Sequence, residues 1–276
     1  MSPYRHALDQ RFADRASDGE GVEPVPFVQQ AMVRKTVRAY SERMPAESLL
    51  EMVTAAALGA SSKSDFQQAS ILRLRDPAVR ASIGALFPAM PWIGLAPAFF
   101  VFLGDARRLQ RLGELRGKPV DNRTLEGFFN ASVDAALAMQ TFILAAESAG
   151  LGCCPISVIR NRIDQIAPWL GLPDLVFPVA GLCVGYPAGS GHVSLRLPRS
   201  LTVHTDRYDD AALADEIDAY DRSRDSRHAL TLQQQRSPAK FGVAEFYGWS
   251  EDKARQAAEP EGAAFPAYLR SHGFSF

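Results

Sequence analysis

Arg34-Lys35-Thr36-Val37-Arg38 places three cations and a hydroxyl within five residues, directly after the apolar segment Phe27–Val33. In an extended or loosely turned backbone, alternate positions share one face. Arg34, Thr36 and Arg38 can then converge on a single anion while Val37 anchors beneath them. Taken alone, the run reads as a solvated basic loop; a phosphate grip is the alternative, and the rest of the chain has to decide between them.

Composition sets the frame for that choice. The chain has 276 residues, of which 47% are hydrophobic, enough for one large domain or one domain with an appendage. Lysine and arginine number 30 against 31 acids, so a net charge of -1 gives no general attraction to nucleic acid or to an anionic membrane. A basic site must therefore be local. The segment Met1–Glu20 is polar, of mixed charge and without apolar periodicity, and reads as a flexible leader. No run approaches the roughly 18 apolar residues of a membrane span, so a cytoplasmic protein is expected. Cys153 and Cys154 are adjacent and Cys183 stands alone, which suits buried reduced thiols rather than a disulfide framework. The histidines at 6, 192, 204, 228 and 272 lack ligand spacing, so no metal is expected. Gly189-Ser190-Gly191 fails as a dinucleotide fingerprint, because Pro198 blocks the helix that would have to follow.

Along the chain, Leu49, Val53, Ala56 and Ala57 form one stripe of a helix starting near Pro45 and ending near Gly59. Ala60-Ser61-Ser62-Lys63-Ser64 is a small polar loop, and Ala69–Leu74 reads as a short strand. Pro77–Leu86 reads as a helix, and Pro97–Leu103 as a strand covered on both faces. Glu126–Gly150 is apolar or small almost all the way round, so this helix must be enclosed, either centrally in one subunit or between two. Cys153–Ser157 leads into a helix over about Asn161–Leu170. Val176–Val184 is a buried strand and Leu201–His204 a shorter one. Asp209–Tyr220 reads as helix, Arg222–Gln235 as a stretch with few anchors, and Pro266–Ser271 as a last short helix.

Four weak motifs recur in a telling order: Arg34–Arg38, Ser61–Ser64, Pro155-Ile156-Ser157-Val158 and Ser194-Leu195-Arg196-Leu197-Pro198. Gly150-Leu151-Gly152 precedes the third, Gly185-Tyr186-Pro187 precedes the fourth, and Trp249-Ser250 and Tyr268-Leu269 follow. In this order the chain resembles the FMN-dependent nitroreductase family, most closely its larger, NADPH-preferring, oxygen-insensitive nitroreductase and flavin reductase type. The resemblance implies an α+β fold with a central mixed β-sheet flanked by helices, and a homodimer holding FMN at the subunit interface. It implies three segments: a leader over 1–20, a core over 21–210, and a C-terminal excursion over 211–276 that wraps the partner and covers the NADPH side.

By the same resemblance Arg34, Thr36 and Arg196 would hold the FMN phosphate, with Lys35 in the same loop and Arg38 against the flavin ring. Ser61, Ser62, Lys63 and Gln67 would contact the flavin, the serines and the lysine coming from the partner subunit. Pro155 and Ile156 would lie against the ring, with the backbone of Ser157 and Val158 facing N5. A guanidinium near the ring favours the reduced, negatively charged state. Three positions depart from the family pattern. Ser194 stands where a lysine is common, Met90 where a glutamine is usual, and Ile156-Ser157-Val158 replaces a smaller segment. Arg222–Arg227 resembles a mobile arginine loop that grips the 2′-phosphate of NADPH, with Arg222 and Arg224 as candidates; a solvated linker is the competing reading. The implied activity is two-electron transfer from NADPH or NADH through FMN to nitroaromatics, quinones or similar acceptors. No side chain is needed as an obligatory acid or base. A flavin reductase is the alternative, and a flavin-binding or structural dimer without turnover is a second.

Overall fold

The computed structural model describes residues 3–12 and 25–276. In chain order, helices α1 (Pro3–Arg11), α2 (Pro26–Val33) and α3 (Glu47–Leu58) precede strand β1 (Ala69–Leu74). Helices α4 (Pro77–Ala85) and α5 (Trp92–Leu95) lead to β2 (Ala98–Asp105), then α6 (Arg107–Arg116) and α7 (Leu125–Ser148) to β3 (Gly152–Ile156). Helix α8 (Ile163–Leu170) precedes β4 (Val176–Gly185), and α9 (Leu213–His228), α10 (Pro238–Phe241), α11 (Trp249–Ala257) and α12 (Phe265–Ser271) follow. Two compact units result: residues 35–191 with 262–276, and residues 1–34 with 192–261.

The larger unit is built on a four-stranded sheet of order β1-β2-β4-β3. All three pairings are antiparallel, which corrects the expected mixed sheet; among the described residues of this unit, parallel pairing is confined to the Thr36–Cys153 bridge. The reason is connectivity: β2 meets both β1 and β4 in opposite senses, and no crossover returns a strand in parallel. Phe99 to Val101 are at most 2% exposed, as a strand covered on both faces requires. On one face, α3 and α7 pack Leu50, Val53, Phe142 and Ile143 against Phe100, Phe102 and Leu182. On the other, Phe99, Val101 and Cys183 meet Ile83, Ile93, Ile159 and Ile166.

By length and composition α7 meets the measure of a membrane-crossing helix, against the expectation that nothing in the chain would. Ala131, Ala135, Phe142, Ile143 and Ala146 are buried along its inner face, so it is a core helix. Its other face is not enclosed within one chain: Phe129, Val133 and Leu137 are 60%, 37% and 41% exposed.

The smaller unit relies on polar anchoring. Asp221 of α9 is buried and accepts from the Ser250 N–H at 3.0 Å, capping the start of α11. A Cβ on Gly248 would meet that carboxylate, so only glycine lets the two helices approach. Asp252 accepts from Arg236 (2.9 Å), Tyr247 (3.0 Å) and Lys253 (2.7 Å).

Several expectations change. Pro3–Arg11 is a helix with Ala7 and Leu8 buried rather than unstructured leader; residues 13–20 of that segment lie outside the described residues. Cys153–Ile156 is strand rather than a lead-in to helix. Residues 201–204 form no strand: a 3-10 turn over Arg199–Leu201 precedes irregular chain in which Val203 is exposed. The Arg222–Arg227 stretch is not a loop; it continues α9, since arginine is a good helix former and buried Tyr220 and Asp221 anchor the preceding turn.

Candidate functional site

In the larger unit, Lys35–Ser41 is laid along the free edge of β3. Thr36 bridges to Cys153 in parallel, and the Val37 N–H donates to the Cys153 carbonyl at 3.0 Å. Val37 is buried beneath, as its place between Thr36 and Arg38 suggested. A Cβ on Gly152 would fall 2.5 Å from Val37 Cγ2, which explains a glycine at the start of β3. The Tyr40 hydroxyl donates to the Val37 carbonyl at 2.7 Å, and burial pushes its pKa well above the usual range, so it stays a donor. Ala188 donates to the Ala39 carbonyl at 3.0 Å and Ser41 to Tyr186 at 2.9 Å, clamping the segment's far end.

The parallel register, followed two residues on, sets Arg38 level with Pro155. The exposed Arg38 guanidinium lies 5.6 Å over the Trp92 ring. Strand alternation leaves Pro155 and Ser157 exposed and turns Ile156 into the core among Ile159 and Cys183. Ile156 is thus placed by its backbone and not by its side chain. Ser157 opens a 3-10 turn over Ser157–Arg162, and the first N–H groups of such a turn have no partner within it. The structure therefore brings Thr36, Arg38, Pro155, Ser157 and Val158 to one sheet edge. Met90 is half-buried against the same core cluster as Trp92.

The Ser61–Gln68 loop lies elsewhere in this unit. Asp134 of α7, only 2% exposed, accepts from the N–H of Lys63 at 2.8 Å and of Gln68 at 2.9 Å. The loop needs that hold, because Ser64, Asp65 and Gln67 adopt left-handed conformations with φ of 49°, 56° and 52°. Ser62 Oγ accepts from the Gln67 N–H at 3.2 Å, and the Gln67 amide reaches Asp65 at 3.0 Å. A cavity of about 270 Å³ is lined here by Ser61, Ser62, Gln67, Arg108 and Asp134, and by none of the residues on the β3 edge. Sequence reasoning missed Asp134 and Arg108; the available signal was a lone carboxylate within the apolar face of α7. Arg108 donates to Ser70 at 2.7 Å and Asp105 at 3.0 Å and to the Gln67 carbonyl, holding the loop's other end.

In the smaller unit, Arg34 follows directly on α2, and Arg196 is exposed beside buried Leu195. Arg11 joins their backbones. Its guanidinium donates to Met32 O at 2.6 Å, to Ser194 O at 3.1 Å and to Arg34 O, while its own carbonyl accepts from the Arg196 N–H at 2.7 Å. Arg224 donates to the Tyr220 hydroxyl at 3.2 Å and to Leu195 O at 3.4 Å. Arg196, Arg224, Ser194, Thr202 and Trp249 line a common cavity of about 570 Å³. Arg222 is not among them: it is exposed and faces Asp218 along α9 at 4.0 Å.

Among the described residues no group of His, Cys, Asp or Glu could hold a metal ion. The three cysteines are buried free thiols, and burial pushes Cys183 well above the ordinary thiol range. What the β3 edge offers is the Arg38 cation, the Thr36 hydroxyl and main-chain donors for a ligand with acceptor atoms, with exposed Pro155 as an apolar surface beside them.

The sequence model of the Nitroreductase family matches residues 31–186, and that of the Nitroreductase family, C-terminal domain, matches residues 194–276. An FMN reductase (NADPH) of Bacillus subtilis is 32% identical over 183 residues, which is 66% of this chain and 74% of the relative. Among solved structures, B. megaterium NfrA2 superposes with a TM-score of 0.82 at 26% identity, covering 92% of this chain and 99% of that one. The NADPH:FMN oxidoreductase of Vibrio harveyi complexed with NAD+ superposes with a TM-score of 0.77 at 26% identity, covering 90% and 97%.

Proposed function

Because the chain belongs to the nitroreductase family, we propose that it is an FMN-dependent NAD(P)H oxidoreductase reducing nitroaromatics, quinones or similar acceptors. The observation that carries this reading is the edge of β3, where Thr36 and exposed Arg38 run beside Pro155 and the opening N–H groups of Ser157 and Val158. That donor set fits FMN. A phosphate dianion calls for guanidinium forks and a hydroxyl, a role that the family resemblance assigns to Arg34, Arg196 and Thr36. A flat heteroaromatic ring with acceptor atoms calls for an apolar surface bordered by N–H donors and a cation, which Pro155, Ser157, Val158 and Arg38 supply.

When bound, FMN would supply the two-electron redox chemistry between NAD(P)H and the acceptor. The chain's residues bind and orient. Arg38, stacked over Trp92 rather than paired with a carboxylate in that contact, contributes positive charge that favours the reduced cofactor. Arg224, at the cavity with Arg196, is assigned to the 2′-phosphate of NADPH; Arg222, outside that cavity, is the weaker candidate of the two.

We assign the chain to a homodimer. The support is the apolar stripe Phe129, Val133 and Leu137 on α7, together with exposed Met52 and Leu58 on α3. Ser61, Ser62, Lys63 and Gln67, gathered apart from the β3 edge, would then serve the partner's cofactor. Residues 21–210 are the cofactor-binding core in this reading. Residues 211–276 are the partner- and donor-facing excursion, with exposed Val243 and Phe246 available for that contact. The protein is placed in the cytoplasm, where NAD(P)H is supplied and thiols stay reduced. A flavin reductase that releases reduced FMN is the second reading, favoured by the likeness to the FMN reductase (NADPH) of Bacillus subtilis. Arg34→Ala and Arg196→Ala are expected to lose FMN on gel filtration, whereas Arg224→Ala keeps its FMN and raises KM for NADPH. Full FMN retention in both of the first two variants would sink the phosphate assignment.

A further inference from the structure

We propose that Arg11 is a positioning residue for the phosphate grip, setting the directions of Arg34 and Arg196 from a helix that precedes the matched family segments. This rests on the assignment of those two arginines to the FMN phosphate. The family models match residues 31–186 and 194–276, so α1 lies before the part of the chain they describe.

Arg11 closes α1 and is 5% exposed. One residue reaches both arms of the grip by different groups. Its guanidinium donates to the carbonyl of Arg34, with Met32 two residues before, and to Ser194. Its own carbonyl accepts the N–H of Arg196, and Phe12 continues the contact as a parallel bridge to Arg196. The backbones of residues 34 and 196, distant in sequence, are thus fixed to a common point. Three carbonyls approached from different directions need a planar fork of donors, which arginine has and lysine lacks. Position 194 is a serine, so the segment before Arg196 brings no cation of its own. Arg11 Nη1, 3.1 Å from the Ser194 carbonyl, supplies one there.

Two guanidinium groups turned toward one phosphate repel each other, and exposed Arg196 would otherwise sample many rotamers. Fixing their peptide units in advance removes part of that ordering cost from ligand binding. The effect is expected to be specific to the phosphate, because the hydrogen bonds of Arg11 to Met32, Arg34, Ser194 and Arg196 lie in the two segments that carry the paired arginines.

The test compares FMN with riboflavin, which is the same ring without the phosphate. Dissociation constants for both are measured by flavin fluorescence quenching on full-length wild type, Arg11→Met and Arg11→Lys. The expected result is a wild type that prefers FMN, and an Arg11→Met protein whose FMN affinity falls at least about tenfold with riboflavin affinity unchanged, as loss of a charge-assisted hydrogen bond implies. Arg11→Lys keeps the charge without the fork and should show the same pattern with a smaller loss, which also serves if Arg11→Met does not fold. Equal weakening of both flavins would make Arg11 structural only and overturn the proposal. So would a preference for FMN that survives both substitutions. A wild type that binds the two flavins alike would instead overturn the phosphate assignment of Arg34 and Arg196, and the role of Arg11 with it.

Discussion

Replacing Asp134 should release the Ser61–Gln68 loop while leaving the sheet intact. Its buried carboxylate accepts two main-chain N–H groups, at 2.8 and 2.9 Å. A hydrogen bond to a charged partner contributes about 1.5–3 kcal/mol, so the pair holds the loop by about 3–6 kcal/mol. Three non-glycine residues with positive φ oppose it. Each left-handed residue costs about 1–2 kcal/mol, which comes to about the same amount. The loop is therefore balanced on Asp134. Asp134→Ala removes both acceptors. Asp134→Asn keeps one oxygen and turns an NH2 toward the second N–H, so it should lose about half. At about 1.4 kcal/mol per decade, losing about 3 kcal/mol raises the local opening equilibrium roughly a hundredfold. Hydrogen exchange followed by mass spectrometry on peptides spanning 61–68 reads this directly at the amides of Lys63 and Gln68. Exchange in that segment at the wild-type rate in Asp134→Ala would refute the reasoning.

Gly152→Ala should destabilise the larger unit by about 1–3 kcal/mol, since the new methyl meets Val37 at 2.5 Å; in urea unfolding, the double variant with Val37→Ala should lose less than the sum of the two singles. Asp252 adds a pH dependence. Burial alone would raise its pKa, but the hydrogen bond and charge of Lys253, with Tyr247 and Arg236, hold it below the ordinary 3.8. A lowered carboxyl pKa stabilises the fold above the unfolded value and loses that contribution as pH falls through the folded one. The stability gap between wild type and Asp252→Asn should therefore be constant at neutral pH and close as pH drops below about 3.8, measured by thermal unfolding. Phe129→Asp with Leu137→Asp should convert a dimer to a monomer in sedimentation velocity and weaken FMN binding with it; a variant that stays dimeric would move the interface off α7.

Much of the sheet was legible because burial on both faces leaves a plain mark: Phe99–Leu103 and Val176–Val184 are continuous apolar runs, and both are strands. The strand Gly152–Ile156 left no such mark, being five residues long with Pro155 inside it. Helix α6 was missed because half of Arg107–Arg116 is charged and its apolar residues are few, and α9 was cut short because the arginines after Tyr220 were read as loop. At the β3 edge, Thr36 and Arg38 were legible because they alternate along extended chain, whereas Pro155 and Ser157 were named only by the family resemblance. Ile156 was in that set as well, and the same alternation sends its side chain inward. Asp134 and Arg11 could not be found that way. Their partners are main-chain groups far away in sequence, and a carbonyl or N–H is the same whatever residue carries it.

The central claim is most directly tested by the visible spectrum of the purified protein, supplied with FMN and then titrated with NADPH without oxygen. The account predicts a yellow protein whose flavin band bleaches with NADPH and returns when a quinone or nitroaromatic is added. A protein that stays colourless after FMN is supplied, or a yellow one that NADPH does not bleach, would contradict it.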